Sequence, residues 1–157
     1  MRDGFYDWHL RTSYDDILKN KGHCIIAHGV NAKGKFNAGL AKQIRKAYPE
    51  CYERYMQAYE NKALRLGEII WYEHPSGLRI ANCVTQQTYG YHGVHANLHA
   101  ISKCAMELER YMVMWNRPLH IPVIGSNLGG LNAVEVYQLF CQTFRKLDVT
   151  VYIRNRE

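Results

Sequence analysis

One stretch near the start of the chain, residues 24–44 (CIIAHGVNAKGKFNAGLAKQI), constrains the fold more than any other. Residues 24–27 form a short apolar run with two β-branched isoleucines, which predicts a buried strand. A polar loop with a glycine follows over residues 28–37, and helical spacing then runs from Ala38 to about Tyr48. This order favours an anionic ligand, because free amide groups and the positive end of the helix dipole face the loop.

The glycine pattern of this loop matches neither GxGxxG nor GxxxxGK[ST], so the common dinucleotide and phosphate-loop fingerprints do not apply. A similar arrangement occurs later in the chain. Residues 120–124 (HIPVI) predict a short strand, residues 125–130 (GSNLGG) a glycine loop and residues 133–146 a helix. If the two strands are neighbours in a parallel sheet, both loops lie at the sheet edge where ligands bind in open α/β folds.

The remaining segments predict a mixture of helices and strands. Pro75, Ser76 and Gly77 are turn residues between two strand-like runs, so those runs predict a β-hairpin. Residues 1–23 have no clear period. The further predicted elements are a helix over 49–62, strands over 67–73 and 78–84, a helix over 97–115 and a final strand over 149–153. Alternation of helices and strands outside the hairpin indicates an α/β fold, and 157 residues predict one domain.

The composition indicates a cytoplasmic protein with reduced cysteines. The five cysteines are an odd number and are scattered without a CxxC pair, so we expect neither disulfides nor a zinc-cysteine site. The chain has no run of eighteen apolar residues, and its first residues lack the apolar core of a signal peptide. We therefore expect no membrane partner.

The net charge of +6 and the pI of about 9.1 suit an anionic ligand or a nucleic acid. The basic residues are dispersed with no run of five, which is equally typical of a solvated basic surface. An RNA-binding pattern of interleaved aromatic and basic residues is also missing from the sequence, so we do not expect a nucleic-acid partner.

Four motifs in this order resemble a macrodomain, the ADP-ribose-binding fold. They are residues 28–41 (HGVNAKGKFNAGLA), 80–90 (IANCVTQQTYG), 122–131 (PVIGSNLGGL) and 149–153 (VTVYI). The resemblance implies a macrodomain-like three-layer α/β/α fold with a mixed central sheet, as a single macrodomain over residues 1–157. The N-terminal segment, residues 1–23, has no assigned place in it.

Within that family the chain is similar to the ADP-ribose 1''-phosphate phosphatases and the small protein-glutamate ADP-ribosyl hydrolases. The hydrolases have a lysine after the third-motif strand and an aspartate in the second loop, whereas this chain has Gln86 or Gln87 and Gly129 there. The resemblance therefore favours a phosphatase acting on ADP-ribose 1''-phosphate or a similar ADP-ribose derivative. The alternatives are a non-catalytic module that binds or sequesters such a nucleotide, and a hydrolase that lacks the lysine nucleophile.

His28 is the predicted catalytic residue, because the phosphatase type carries a histidine just before the asparagine of the first loop. His28 precedes Asn31 by three residues. A histidine titrates near neutral pH and can act as acid, base or phosphoryl acceptor. A histidine beside an apolar strand is also commonly structural, so both interpretations stay open.

The predicted ligand contacts come from both glycine loops and from the chain ends. Asn31 can bond ribose hydroxyls, since its amide offers a donor and an acceptor, and the second-loop amides can form an anion nest. Tyr152 can either stack on adenine or pack in the core. The resemblance places Asp16 and Ile17 at the adenine. The complete predicted set is Asp16, Ile17, Asn31, Asn37, Gly39, Gln86, Gly125, Ser126, Asn127, Leu128, Gly129, Gly130 and Tyr152.

No cofactor or metal is predicted. His92, His95 and His99 have spacings that suit a metal, but they have no carboxylate or cysteine beside them. The GxSxG elbow of serine hydrolases is absent from the sequence. The expected partner is a small-molecule ADP-ribose derivative, and the expected oligomeric state is a monomer.

Overall fold

The structure, a computed structural model, describes residues 10–89, 95–125 and 130–153. Six strands form one sheet in the order β1-β6-β5-β2-β4-β3. The strands are β1 (Arg11–Ser13), β2 (Ile25–Asn31), β3 (Ile69–Glu73), β4 (Arg79–Gln86), β5 (Leu119–Pro122) and β6 (Val149–Tyr152). The helices are α1 (Gly39–Ala47), α2 (Pro49–Glu60), α3 (Leu98–Trp115) and α4 (Ala133–Thr143), and a 3-10 turn covers Ile17–Lys19.

The sheet is mixed. The five strands from β1 to β4 in this order are parallel to one another. The last strand, β3, is antiparallel to β4. The β3–β4 hairpin and the mixed sheet are therefore as predicted. None of the helices in the described residues is long and apolar enough to span a bilayer.

Helices cover both faces of the sheet, which confirms the three-layer α/β/α prediction. On one face Ile25 and Ala27 of β2 pack in a core with residues of α3 and α4. On the other face Ile26 and Val30 pack in a second core with residues of α1 and α2. Strand β2 is buried on both faces because it lies between β5 and β4 inside a largely parallel sheet.

The predicted end of the first strand is wrong. Strand β2 continues from Ile25 to Asn31, so His28 lies in mid-strand and not at the start of the loop. The apolar run stops early in the sequence because His28 and Gly29 are not strand formers. Pairing with β4 along the whole of β2 supplies the missing stabilisation. Strand β1 was not predicted, because three residues are too short for a recognisable period.

Gly29, in β2, leaves room for the side chains of two neighbouring segments at the centre of the sheet. A β-carbon added there would lie 2.7 Å from Ile124 Cγ2 and 2.7 Å from Thr85 Oγ1, so only glycine fits without displacement. Ile124 follows β5 and Thr85 is near the end of β4. This contact therefore packs the end of β4 and the segment after β5 against β2.

The substitution Gly29→Ala should reduce the free energy of unfolding by about 1–3 kcal/mol, because the added methyl overpacks the site. Urea denaturation of the intact chain measures this change. In the double variant Gly29→Ala/Ile124→Ala, the loss should be smaller than the sum of the two single losses, since the second change removes one of the colliding groups. Additive losses would contradict this account of the contact.

Candidate functional site

The predicted site lies at the carboxyl edge of the parallel strands. Three connecting segments begin there: the first loop (residues 32–38) after β2, the second loop (residues 123–132) after β5 and the third loop (residues 87–97) after β4. Ile25 and Ile26 of β2 pair with β5, which confirms that the strands before the two glycine loops are neighbours. The Ala32 amide donates to the Gln86 carbonyl at 3.0 Å and joins the first loop to β4.

Asn31 holds the first loop in shape. Its side-chain oxygen accepts from the amides of Lys33 (2.9 Å) and Lys35 (3.2 Å), and its side-chain nitrogen donates to the Lys35 carbonyl at 2.8 Å. The side chain is therefore engaged with its own loop at both ends. A ribose contact from Asn31 stays a prediction, and it would have to be made in addition to these bonds.

Two buried aromatic residues, Tyr55 of α2 and Phe36, also stabilise the first loop. The Tyr55 hydroxyl donates to the Asn31 carbonyl at 2.6 Å and accepts from the Gly34 amide at 3.1 Å. Burial raises the pKa of Tyr55, so the hydroxyl keeps its proton. Phe36 is buried, with its ring 4.8 Å from that of Tyr55 between centroids. Neither residue was predicted to belong to the site. Phe36 could have been recognised from the sequence, because it is an aromatic residue inside an otherwise polar loop.

The start of α1 is open. Ala38 occupies the N-cap position and cannot supply a side-chain cap. Gly39 has φ +55, and nothing lies within 4 Å of the position of a β-carbon there. In the described part of the chain, no group accepts a hydrogen bond from the amides of Gly39, Leu40 or Ala41. Asn37 is exposed beside them. These free amides and the helix dipole form an attractive position for an anion.

A hydrogen bond joins the two described ends of the second loop. The Leu131 amide donates to the Gly125 carbonyl at 2.8 Å. Gly125 has φ +84, and a β-carbon there would lie 2.8 Å from the Ala96 β-carbon, so the second and third loops are in close contact. Gly130 also has a positive φ of +83. The predicted residues Ser126, Asn127, Leu128 and Gly129 lie outside the described residues.

Gln86 ends β4 next to Asn31, its partner in register, and its side-chain nitrogen donates to the Thr88 carbonyl at 2.7 Å. The side chain therefore shapes the start of the third loop. His92 lies outside the described residues. Among residues 10–89, 95–125 and 130–153, no group of three or more His, Cys, Asp or Glu side chains is arranged to hold a metal.

The residues predicted at adenine belong to two elements that the structure joins. Asp16 caps the 3-10 turn, accepting from the Leu18 amide at 3.0 Å, and Ile17 is buried in the α1/α2-side core. The half-buried Tyr152 shares its hydroxyl between Asn20 (2.8 Å) and a ring nitrogen of His120 (2.9 Å). Tyr152 thus packs against the segment that contains Asp16. Adenine contacts by these residues stay predictions.

His28 is buried beneath the first loop and is 1% exposed. Its Nε2 lies 2.6 Å from the Asn82 side-chain oxygen, so Nε2 carries the proton and donates. The other ring nitrogen, Nδ1, is buried with no hydrogen-bond partner in the described residues. Desolvation lowers the pKa of His28 to about 4, partly opposed by the bond to Asn82. This burial and the bond to Asn82 are typical of a structural histidine, and a catalytic role for His28 stays a prediction.

Comparison with known proteins gives no match to a protein-family model and none to a curated protein. Solved structures match over nearly the whole chain. A protein of unknown function from Bacteroides thetaiotaomicron has a TM-score of 0.85 at 21% identity, covering 92% of this chain and 98% of that one. The macrodomain of Thermus aquaticus DarG has a TM-score of 0.78 at 23% identity, covering 94% and 99%.

Thermosipho africanus DarTG, solved in complex with ADP-ribose, has a TM-score of 0.80 at 18% identity. The match covers 96% of this chain and 44% of that longer chain. The order, layers and mixed sheet of this chain are thus those of a macrodomain. The macrodomain fold predicted from the four motifs is confirmed.

The structural interpretation of His28 makes a prediction about pH. The pKa is lowered from 6.5 on folding, so the unfolded chain binds a proton first as the pH falls. Stability should therefore decrease on acidification, with His28 contributing a loss of about 3 kcal/mol between pH 6.5 and pH 4. The variant His28→Gln should be less stable at pH 7 but lose less stability across that window.

Urea denaturation at a series of pH values measures this difference. The matched control is His99→Gln, which changes an exposed histidine of α3 and should leave the pH dependence of the wild-type chain intact. An acid loss in His28→Gln equal to that of the wild type would show that His28 is not the group responsible.

The substitution Tyr55→Phe removes one hydroxyl from beneath the first loop. It leaves the partly buried Gly34 amide without its acceptor, so the free energy of unfolding should fall by about 1–2 kcal/mol. Amide hydrogen exchange should accelerate in residues 32–36 more than in β2 itself. Tyr59→Phe, at an exposed position on the same helix, is the control and should change neither quantity. Uniform acceleration over the whole chain would contradict a local role for Tyr55.

Proposed function

We propose that this chain is a binding module for ADP-ribose or a close derivative of it. The observation that carries the proposal is the open start of α1, where three amides without acceptors in the described residues lie at the same sheet edge as the glycine-bearing second loop. A diphosphate fits such a position, because it offers several acceptor oxygens and negative charge to an uncapped helix end.

Charge supports the same proposal. The exposed Lys33 and Lys35 lie in the first loop, and neither forms an ion pair with a described residue. The whole chain carries a net charge of +6. An anionic nucleotide is therefore attracted toward the loop edge, and the attraction should weaken as salt is added.

The arrangement also suggests how the ligand would lie. We place the diphosphate between the start of α1 and the second loop, including residues 126–129. The adenosine would extend toward Asp16, Ile17 and Tyr152, and the distal ribose toward Asn37 and Gln86. The ADP-ribose bound to Thermosipho africanus DarTG, which shares this fold, supports the choice of ligand class.

The surroundings of His28 support a binding module more than a phosphatase. A phosphatase reaction was predicted through His28, but its ring is buried and bonded to Asn82. The hydrolase chemistry of the related subgroup requires a lysine near the end of β4. Gln86 and Gln87 occupy that place, and an amide side chain cannot act as a nucleophilic amine.

Ala38→Asp tests the proposed anion position. The new carboxylate can cap α1, so the free energy of unfolding should rise by about 0.5–1 kcal/mol. The same carboxylate occupies and repels the proposed diphosphate position, so the affinity for ADP-ribose should fall about tenfold or more. Opposite signs for stability and affinity distinguish this outcome from simple damage to the fold. Calorimetry with ADP-ribose and thermal melting of the same preparation supply the two measurements.

The control is Met106→Asp, which adds one negative charge at an exposed position on α3 and should leave the affinity unchanged. Wild-type chain that is folded but does not bind ADP-ribose at millimolar concentration would overturn the proposal. Assay of phosphate release from ADP-ribose 1''-phosphate completes the test. Release that is lost in His28→Gln, with ADP-ribose affinity retained, would instead support the phosphatase prediction.

A further inference from the structure

Strand β3 forms one lateral edge of the sheet, away from the loops of the proposed site. It is the last strand in the order β1-β6-β5-β2-β4-β3, and among the described residues it pairs only with β4. An edge strand presents unpaired amide and carbonyl groups along its free side. Such a side is suited to binding a further strand.

The hydrogen bonds at the two ends of the hairpin determine which groups point outward. The His74 amide donates to the Leu78 carbonyl at 2.8 Å, and the Val84 amide donates to the Glu68 carbonyl at 2.9 Å. Bonded pairs alternate along an antiparallel ladder, so residues 70 and 72 also direct their backbone groups toward β4. The residues whose amides and carbonyls face the free edge are Ile69, Trp71 and Glu73.

This edge lies in an open groove of about 940 Å³ between α2 and α3. A second depression of about 350 Å³ extends the groove along β3 and shares Arg54, Gln57 and Trp71 with the first. The α3 wall is aromatic. The Trp71 ring lies 5.3 Å from that of Tyr111 and 4.9 Å from that of Trp115, measured between centroids.

The α2 wall carries three glutamates and one arginine, Arg54, so negative charge is in excess there. Glu50, Glu53 and Glu60 line the groove at helical spacing, and none of them forms an ion pair with a described residue. Glu73 lines it too and lies 3.6 Å from Arg79, measured between Oε2 and a guanidinium nitrogen. The groove therefore holds unpaired negative charge in a chain whose net charge is +6.

We propose that this groove binds an extended, basic segment of a partner protein, which adds to β3 as a further strand. The backbone of the partner would bond the outward groups of Ile69, Trp71 and Glu73. Successive side chains of a strand point to opposite faces. The lysine or arginine side chains on one face of the partner strand would contact the α2 carboxylates, and the side chains on its other face would contact the aromatic α3 wall. This surface is separate from the loop edge, so the inference does not depend on the proposed function.

The negative charge of the groove favours a basic segment of a partner protein over a second copy of this chain. A symmetric pairing of two β3 edges would bring the same acidic wall of both copies together, and like charges at such an interface are destabilising. Nucleic acid is disfavoured for the same reason, because its phosphates would face Glu50, Glu53 and Glu60.

The test uses a short synthetic peptide of alternating arginine and valine with blocked ends. Amide hydrogen exchange of the full chain should slow about tenfold or more at Ile69, Trp71 and Glu73 when the peptide is present, because strand pairing protects these amides. The amides of Ile70 and Tyr72, already bonded to β4, should change much less. A peptide that is N-methylated at alternate residues cannot complete the ladder and should give no protection.

Charge variants provide the second readout. Glu53→Lys, at an exposed position in the groove, should weaken peptide binding about fivefold to tenfold. The matched control Glu109→Lys changes an exposed residue of α3 that does not line the groove, and it should change the affinity by less than about twofold. Fluorescence anisotropy of labelled peptide measures both.

Three outcomes would overturn the proposal. The first is unchanged exchange at the outward amides with saturating peptide. The second is an equal loss of affinity in Glu53→Lys and Glu109→Lys, which would indicate general charge attraction. The third is protection of the same amides without peptide that increases with protein concentration, which would assign the edge to a second copy.

Discussion

The structure depends on a chain of polar contacts buried between the sheet and α1/α2. His28 of β2 donates to the side-chain oxygen of Asn82 on β4, and the Asn82 side-chain nitrogen donates to the Ile70 carbonyl on β3 at 2.9 Å. A shift of β2 by one residue would turn His28 to the other face of the sheet. The side chains of His28 and Asn82 would then be buried in apolar surroundings without their shared hydrogen bond. The contacts therefore fix the register of three adjacent strands, β2, β4 and β3, and with it the points at which the loops after β2 and β4 begin.

A fixed register lets distant segments act as one surface. Gly29 admits Ile124 against β2, and Gly125 admits Ala96 beside the second loop. At each glycine the side chains of other segments pack directly against the backbone, in space that a β-carbon would occupy. The β3 groove lies at a lateral edge of the same sheet, so the proposed ligand and the proposed partner would bind at different edges.

The sequence was informative where structure follows from local pattern. The amphipathic spacing of α3, the turn residues 75–77 and the two glycine loops after apolar runs predicted helix, hairpin and sheet edge correctly. It was uninformative where the surroundings of a side chain come from distant residues. The sequence places His28 beside a loop, but its hydrogen-bond partner Asn82 is 54 residues away, so its burial could not be read from the local pattern; a catalytic role for His28 stays a prediction. Asn31 resembled a free ligand contact because its bonds to Lys33 and Lys35 depend on the loop conformation.

The bonded first loop has a consequence for how a ligand would arrive. A loop that becomes ordered only on binding loses conformational entropy in that step. The loss makes the free energy of binding less favourable. Here Asn31, Tyr55 and Phe36 hold the first loop in one conformation, so most of the entropy of that loop is lost during folding. Association should then need no slow rearrangement of the first loop, and the contribution of this loop to the rate should be set by diffusion and charge.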